Sequence, residues 1–280
     1  MVGDPQAHSD PAESAVESLA EASYDETAPE WPAPESSPRS PPEDDGHLET
    51  QRRLARLAVD GEIRVALQPI IDLATSDVIG YEALARFPGD ETISPRTWFA
   101  EAAKVGRLQE IEMTAIRAAL AQLGRLPPEA FISVNVSLLT AACDELGDLL
   151  SSVEASRVVL EITEDAVAAG YDEVSEAVGE LRAKGVRIAL DDSGSGSVYL
   201  SRLLDVHADI IKIDVEVTRG IASDPMKEAM AYAIKSLADR LGAMSLAEGI
   251  ETDEDLKALQ AVGIQAGQGY LFGRPEPVGD

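Results

Sequence analysis

The chain has 280 residues, of which 45% are apolar, so it can form one barrel-sized domain or two smaller ones. Its 51 acidic and 23 basic residues give a net charge of −28, which argues against non-specific binding to DNA, RNA or an anionic membrane. The single cysteine excludes an intramolecular disulfide, and the sequence has neither a signal-peptide pattern nor a long apolar run, so we expect a cytoplasmic protein.

Residues 1–48 differ in composition from the rest of the chain. They hold 12 acidic residues against one basic residue, Arg39, and 8 of the 16 prolines. Such a segment buries too little apolar surface to offset the entropy lost on ordering it. We therefore predict a disordered, acidic, proline-rich tail over residues 1–48 and a folded domain over residues 49–280. The alternative is a partner-binding arm that uses Trp31 as its anchor.

After residue 48, short runs rich in Val and Ile alternate with longer amphipathic runs. Eight of the short runs are strand candidates: 65–71, 78–85, 131–136, 157–163, 186–192, 209–214, 243–250 and 264–272. Helical stretches separate most of them. This alternation predicts a parallel sheet covered by helices, and eight strands in about 220 residues predict a closed (β/α)8 barrel of the TIM type.

The first two strand candidates, 65–71 and 78–85, are separated by only six residues. A parallel pair would need a crossover helix between its strands, and this spacing leaves no room for one. We therefore expect a hairpin, and hence one antiparallel strand, near the start of the barrel. An open doubly wound sheet is the alternative fold.

Polar residues gather at the ends of the strand candidates. In a parallel barrel these ends meet at one face, the C-terminal mouth. A charged residue among Val, Ile and Leu needs a partner, because burying an unpaired charge is costly. The set holds one lysine against many potential oxygen ligands: Glu82, Asn135, Glu161, Glu164, Asp191, Asp192, Lys212, Asp214, Glu248, Glu251 and Gln268.

Divalent cations would offset the repulsion between these carboxylates. Oxygen ligands without a nearby histidine or cysteine favour Mg²⁺, Mn²⁺ or Ca²⁺ over Zn²⁺ or Cu²⁺. Two such ions can activate a water and stabilise the leaving oxygen of a phosphodiester, with Lys212 neutralising charge or orienting the water. The residues alone leave two other chemistries open: a Schiff-base lysine at position 212, and an enolase-like proton abstraction.

Eight motifs follow one another along the folded part: LQPIIDL (67–73), GYEALAR (80–86), NVS (135–137), EITE (161–164), DDSGSG (191–196), KID (212–214), AEGIET (247–252) and QGYLFGRP (268–275). In this order and spacing they resemble the EAL-domain family of cyclic di-GMP phosphodiesterases, from about residue 50 to residue 275. The resemblance implies a barrel with one reversed strand. It also implies hydrolysis of cyclic di-GMP to linear pGpG with two Mg²⁺ or Mn²⁺ ions, which would lower cyclic di-GMP signalling.

The resemblance further implies a role for each matching residue. The ligands of the first metal would be Glu82, Asn135, Glu161 and Asp191. Those of the second would be the bridging Asp191, Asp192 and Glu248. Lys212 and Gln268 would lie beside the attacking water, with Glu164 and Glu251 as supports behind the ligands. The substrate contacts would come from Gln68, Leu84, Arg86, Asp192 and Pro275.

The loop after Asp192 departs from the family pattern. The family usually has Asp-Asp-Phe-Gly-Thr-Gly-Tyr-Ser-Ser, whereas this chain has DDSGSGSVY, so both aromatic residues are replaced within residues 193–198. In the family this loop supports metal binding and couples the site to a dimer interface. Three hypotheses follow: an active phosphodiesterase, a non-catalytic cyclic di-GMP receptor and a protein-interaction module. A homodimer is implied by the resemblance alone.

Overall fold

The structure is a computed structural model that describes residues 45–60, 62–88, 93–163, 171–191 and 207–278. The chain divides into two units, residues 1–43 and residues 44–280, and every described residue belongs to the second. The first helix, α1 (Asp45–Asp60), begins inside the segment that composition assigned to the tail. It extends back from Leu54 and Leu57, which are buried beside Trp98, because a helix anchored by packing gains one hydrogen bond with each added residue. The tail prediction for residues 1–44 lies outside the described residues.

The described strands follow the predicted order. They are β1 (Arg64–Asp72), β2 (Val78–Arg86), β3 (Phe131–Val136), β4 (Val158–Thr163), β5 (Arg187–Asp191), β6 (Ile210–Ile213), β7 (Met244–Ala247), β8 (Ala266–Gly267) and β9 (Glu276–Pro277). The further α-helices are α2 (Pro95–Lys104), α3 (Leu108–Leu120), α4 (Leu138–Ala141), α5 (Asp144–Ser151), α6 (Tyr171–Ala183), α7 (Val215–Thr218), α8 (Pro225–Leu241) and α9 (Asp253–Val262). In the part of the chain that the structure describes, no helix is both long and apolar enough to cross a membrane.

The strands close into a barrel. Strands β2 to β8 lie side by side in sequence order, β8 pairs with β1, and β1 pairs back with β2. The pairs from β2–β3 to β7–β8 are parallel, whereas β1 is antiparallel to both of its barrel neighbours. The barrel and its reversed strand are therefore confirmed, and the open doubly wound sheet is wrong.

The last strand candidate, 264–272, is much shorter than predicted. Only Ala266 and Gly267 form strand β8, and the chain then turns at Gly269. A Cβ at Gly269 would lie 2.1 Å from the carbonyl oxygen of Ile250, so this close backbone approach admits only glycine. Strand β9, which was not predicted, pairs with the first half of β1.

Alternation along the strands separates two faces of the barrel wall. Outward-facing residues such as Ile132, Leu160 and Ile188 pack in the large core with the surrounding helices. At the end of the barrel opposite the carboxyl ends of the parallel strands, inward-facing residues form a compact apolar cluster, called here the base layer: Ile70, Phe131, Val159, Ala189, Ile210, Leu246 and Ala266. The ring of Phe131 fills the place where a Cβ on Gly80 would stand, since that atom would lie 2.6 Å from the ring. The base layer therefore closes one end of the barrel interior.

Candidate active site

Polar side chains follow the base layer along the same strands. Because side chains alternate along a strand, a step of two residues keeps the inward face and moves one layer towards the mouth. This step leads from Val159 to Glu161 and from Ile210 to Lys212. The side chains that meet there, called the mouth cluster, are Glu82, Asn135, Glu161, Lys212, Glu248 and Gln268.

Lys212 lies at the centre of the mouth cluster. Its side chain is only 2% exposed, and its ammonium nitrogen is 2.6 Å from Glu161 Oε2 and 2.6 Å from Glu248 Oε1. Glu82 Oε1 is 3.9 Å away. A buried ammonium requires such partners, because desolvation would otherwise disfavour its charged form. The lysine thus holds three carboxylates from β2, β4 and the end of β7 around one point.

Amide and hydroxyl groups fix the orientation of the carboxylates. Gln268 Nε2 donates to Glu82 Oε2 at 2.7 Å and to Glu248 Oε1 at 3.3 Å, and Asn135 Nδ2 lies 3.3 Å from Glu82 Oε1. The Ser133 hydroxyl donates to Glu161 Oε1. Ser133 was not among the predicted site residues, although a buried serine two residues before Asn135 on an apolar strand is a usable signal.

A cavity of about 440 Å³ opens over this cluster, and we call it the mouth cavity. Two of the predicted substrate contacts, Gln68 and Leu84, line it. Gln68 Nε2 also donates to the carbonyl of Gly273 at 3.3 Å. Arg86 and Pro275 are not among its described lining residues. The Arg86 guanidinium instead donates to the carbonyl of Ala85 at 3.0 Å and lines a neighbouring cavity of about 470 Å³.

One side of the mouth cavity carries residues that the sequence did not indicate. Arg219 and Tyr270 both line it and are exposed. Glu251, predicted as a support behind the ligands, lies on this rim and accepts from Arg219 at 2.7 Å. Arg219 lies just after α7 and Tyr270 lies in a turn. Neither residue ends a predicted strand, so the periodicity of the sequence could not predict that they line the cavity.

A second, partly buried network holds the chain where β3 ends. Glu112, on α3, accepts hydrogen bonds from the Ser137 hydroxyl at 2.6 Å, the Ser137 backbone N–H at 3.3 Å and the Thr140 hydroxyl. Burial raises the pKa of the Glu112 carboxyl above its ordinary value, and the hydrogen bonds from Ser137 and Thr140 offset only part of this effect. Ser137 follows Asn135 by two residues, so this network fixes the exit of the strand that carries Asn135.

Three of the predicted ligands and supports cannot be placed. Glu164, Asp192 and the loop 193–198 lie outside the described residues, and of Asp191 only the backbone, at the end of β5, is described. Within the described residues, no three acidic, histidine or cysteine side chains form a ready-made metal site.

The described donors nevertheless suit hard divalent cations. Three carboxylates, those of Glu82, Glu161 and Glu248, face one ammonium, which leaves an excess of negative charge at a largely buried point. Asn135 adds an amide group, and the buried side-chain oxygen of Gln268 has no hydrogen-bond partner among the described residues. Carboxylate and amide oxygens are the ligands that Mg²⁺ and Mn²⁺ prefer.

The fold and the site together define the class. The chain is a TIM-like barrel whose buried polar cluster lies at the carboxyl ends of the strands, where such barrels carry their active sites. The family model described as the EAL domain matches residues 51–275, and the chain belongs to the EAL domain family.

Similar proteins carry related names. The chain is 32% identical over 219 residues to the cyclic di-GMP phosphodiesterase PA2567 of Pseudomonas aeruginosa, which covers 74% of this chain and 37% of that protein. It is 32% identical to Klebsiella pneumoniae BlrP1, solved with manganese and cyclic di-GMP, with a TM-score of 0.70 over 77% of this chain and 56% of that one. For the PaMucR phosphodiesterase in complex with c-di-GMP, the identity is 29% and the TM-score 0.72, covering 82% and 98% of the two chains. The chain spans about a third of the length of the curated relatives it matches.

Proposed function

We propose that this protein hydrolyses cyclic di-GMP to linear pGpG, with two Mg²⁺ or Mn²⁺ ions in the mouth cluster. The observation that carries the proposal is the enclosure of Lys212 by Glu82, Glu161 and Glu248 at the strand ends. Relatives that are named cyclic di-GMP phosphodiesterases support the choice of substrate. The neighbour solved with manganese and cyclic di-GMP supports the choice of cofactor.

The residues that would hold the metals come from five strands. The first ion would be held by Glu82, Asn135, Glu161 and Asp191, and the second by Asp191, Asp192 and Glu248. When bound, divalent cations lower the pKa of a water and neutralise charge on a phosphodiester. The protein side chains would transfer protons and orient the reactants.

The reaction adds one water across one phosphodiester bond of the ring. A bond forms between phosphorus and the water oxygen, the bond from phosphorus to the sugar 3′ oxygen breaks, and a proton ends on that oxygen. Lys212 offers a fixed positive charge beside the attacking water, and its ion pairs with Glu161 and Glu248 keep it in place. The amide of Gln268, held by Glu82, would lie beside the same water and help to orient it.

The substrate would lie in the mouth cavity, in contact with Gln68 and Leu84. Arg86, Asp192 and Pro275 remain proposed contacts from the family resemblance. For Arg86, this requires its guanidinium to leave the carbonyl of Ala85 when a phosphate is bound. A homodimer, a cytoplasmic location and the absence of direct DNA or RNA binding belong to the same proposal.

Purified protein incubated with cyclic di-GMP and Mn²⁺ or Mg²⁺ tests the function directly, with product separated by chromatography. We expect pGpG from the native chain and a loss of about 10²–10³-fold in rate for Glu82→Ala, a magnitude typical of one lost group that stabilises charge. Glu145→Ala, on the outer surface of α5, serves as the control and should retain activity. Binding without product would identify a receptor, and neither binding nor product would favour an interaction module.

Calcium separates binding from turnover. Ca²⁺ accepts more ligands at longer and less regular distances than Mg²⁺, so it should fill the site but orient the water poorly. We expect cyclic di-GMP binding in Ca²⁺ with turnover at least about tenfold below that in Mg²⁺. Full turnover in Ca²⁺ alone would contradict the proposed two-ion geometry.

A further inference from the structure

Tyr270 lies at the rim of the mouth cavity and is unusually exposed for an aromatic residue. It is 51% exposed, yet it lines the cavity, and it follows Gln268 of the mouth cluster by two residues. A tyrosine ring buries a large apolar area when it finds a partner, so half of this surface is available to a ligand that enters the cavity.

The backbone on both sides of Tyr270 is held rigidly. The N–H of Ile250 donates to the carbonyl of Gln268 at 3.0 Å, and the N–H of Leu271 donates to the carbonyl of Ile250 at 3.0 Å. Gly269 allows this approach, because any Cβ there would collide with the Ile250 backbone. The turn is thus clamped to the segment after β7, and the tyrosine ring is positioned without a ligand.

The ring also has a cation against it. The guanidinium carbon of Arg274 lies 4.1 Å from the centroid of the Tyr270 ring. This cation–π contact limits the rotation of the ring and occupies one of its two faces. The exposed part of Tyr270 at the cavity rim offers a surface for a planar aromatic group such as a nucleobase, which stacks on aromatic side chains irrespective of sequence.

We propose that Tyr270, backed by Arg274, is a stacking platform for one guanine base of the substrate. The proposal rests on the proposed function and deepens it, since it assigns a base-binding position to the rim. Tyr270 thus contributes to substrate binding through a base, while the mouth cluster acts on the phosphodiester.

The test uses a cyclic dinucleotide in which 2-aminopurine replaces one guanine, bound in Ca²⁺ to the full chain. Stacking quenches 2-aminopurine fluorescence. We expect quenching with the native protein and with Tyr270→Phe, which keeps the ring. We expect Tyr270→Leu to lose most of the quenching and to bind about tenfold more weakly, since stacking contributes roughly 1–3 kcal/mol per base.

Tyr232→Leu provides the matched control. Tyr232 is 47% exposed, lies on α8, and is not among the residues that line the mouth cavity. This variant should quench and bind as the native chain does. For hydrolysis of cyclic di-GMP, Tyr270→Leu should raise KM about tenfold and change kcat by less than threefold.

The outcomes separate the platform from the enzyme. Unchanged quenching in Tyr270→Leu overturns the platform, as does an equal loss in Tyr232→Leu. Quenching that depends on Tyr270 in a native chain that forms no pGpG supports the platform and refutes the phosphodiesterase. A native chain that binds no cyclic dinucleotide overturns both.

Discussion

The two ends of the barrel interior are built from the same strands and differ in nearly every other respect. At the base layer, Phe131, Val159 and Ile210 form a buried apolar contact. Two residues further along, β4 and β6 present Glu161 and Lys212 instead. The backbone is continuous between the two layers, so the contrast arises from side chains alone. One strand register thus supports both a packed core and a charged site.

The contrast teaches how the two layers depend on each other. The base layer gains free energy from burial, roughly 25 cal/mol for each Å² of apolar surface removed from water. The mouth cluster gains little net stability, because desolvation of its charges offsets much of their attraction. We infer that the base layer stabilises a barrel in which the mouth cluster can be arranged for chemistry.

The largest expected effect is on the base layer. Phe131→Ala removes a ring that is 4% exposed and contacts both the Gly80 position and the Arg187 guanidinium, 4.6 Å from its centroid. We expect the free energy of unfolding to fall by about 3–5 kcal/mol, from lost transfer energy and the remaining cavity. Urea unfolding at several Mn²⁺ concentrations measures this. The loss should be the same with and without metal, and Phe131→Leu should lose less.

Lys212→Met tests the opposite end of the barrel. It leaves Glu82, Glu161 and Glu248 without their central ammonium, so we expect a loss of about 3 kcal/mol in metal-free buffer. Divalent cations should restore much of that stability by occupying the same carboxylates, although activity should not return. Lys235→Met, which breaks the surface pair with Asp239 on α8, should cost less than about 1 kcal/mol and show no metal dependence. An equal response to metal in both variants would contradict the contrast between the layers.

Much of the fold follows from features that the sequence displays locally. Runs of Val and Ile at the spacing of strand–helix units predict the barrel, and the short link between β1 and β2 predicts the reversed strand. The strand predicted over residues 264–272 was too long, because the end of this strand is set by a tertiary contact. Gly269 packs against Ile250, which lies 19 residues earlier in the sequence, and such a contact leaves no periodic pattern of apolar residues. The first residues of helix α1 were assigned to the tail, because composition does not show that Leu54 and Leu57, further along the helix, pack beside Trp98.

The mouth cluster was predictable because strand ends in a parallel barrel converge. Glu82, Glu161 and Lys212 are charged residues inside apolar runs, which is a strong local signal. The supporting residues carry no such signal. Glu112 lies between Ile111 and Met113 on a helix, and its link to Ser137 appears only when α3 packs beside β3.

Glu112 offers the smallest and most specific test, because it holds the mouth from outside the barrel. Its folded-state pKa is raised, mainly by burial, so the folded protein binds a proton more readily than the unfolded chain does. The stability that this group contributes is therefore fully present below its unfolded pKa and declines as the pH rises through its folded pKa. Glu112→Gln cannot titrate. The native chain should thus lose stability relative to Glu112→Gln as the pH rises above the ordinary carboxyl value of 4.5.

The measurement is the difference in free energy of unfolding between the two proteins at several pH values, with all other titrating groups in common. We expect this difference to move in favour of Glu112→Gln as the pH rises from 4.5 to neutrality. Glu110→Gln, on the exposed side of α3 and paired with Arg107, is the matched control for replacing a carboxyl on the same helix. In activity assays, Glu112→Gln should weaken metal binding more than it lowers kcat, because it loosens the exit of the strand that carries Asn135. A difference in stability that grows in favour of the native chain as the pH rises would mean that the Glu112 carboxylate is stabilised in the fold, and the support of the mouth from α3 would then be electrostatic in origin.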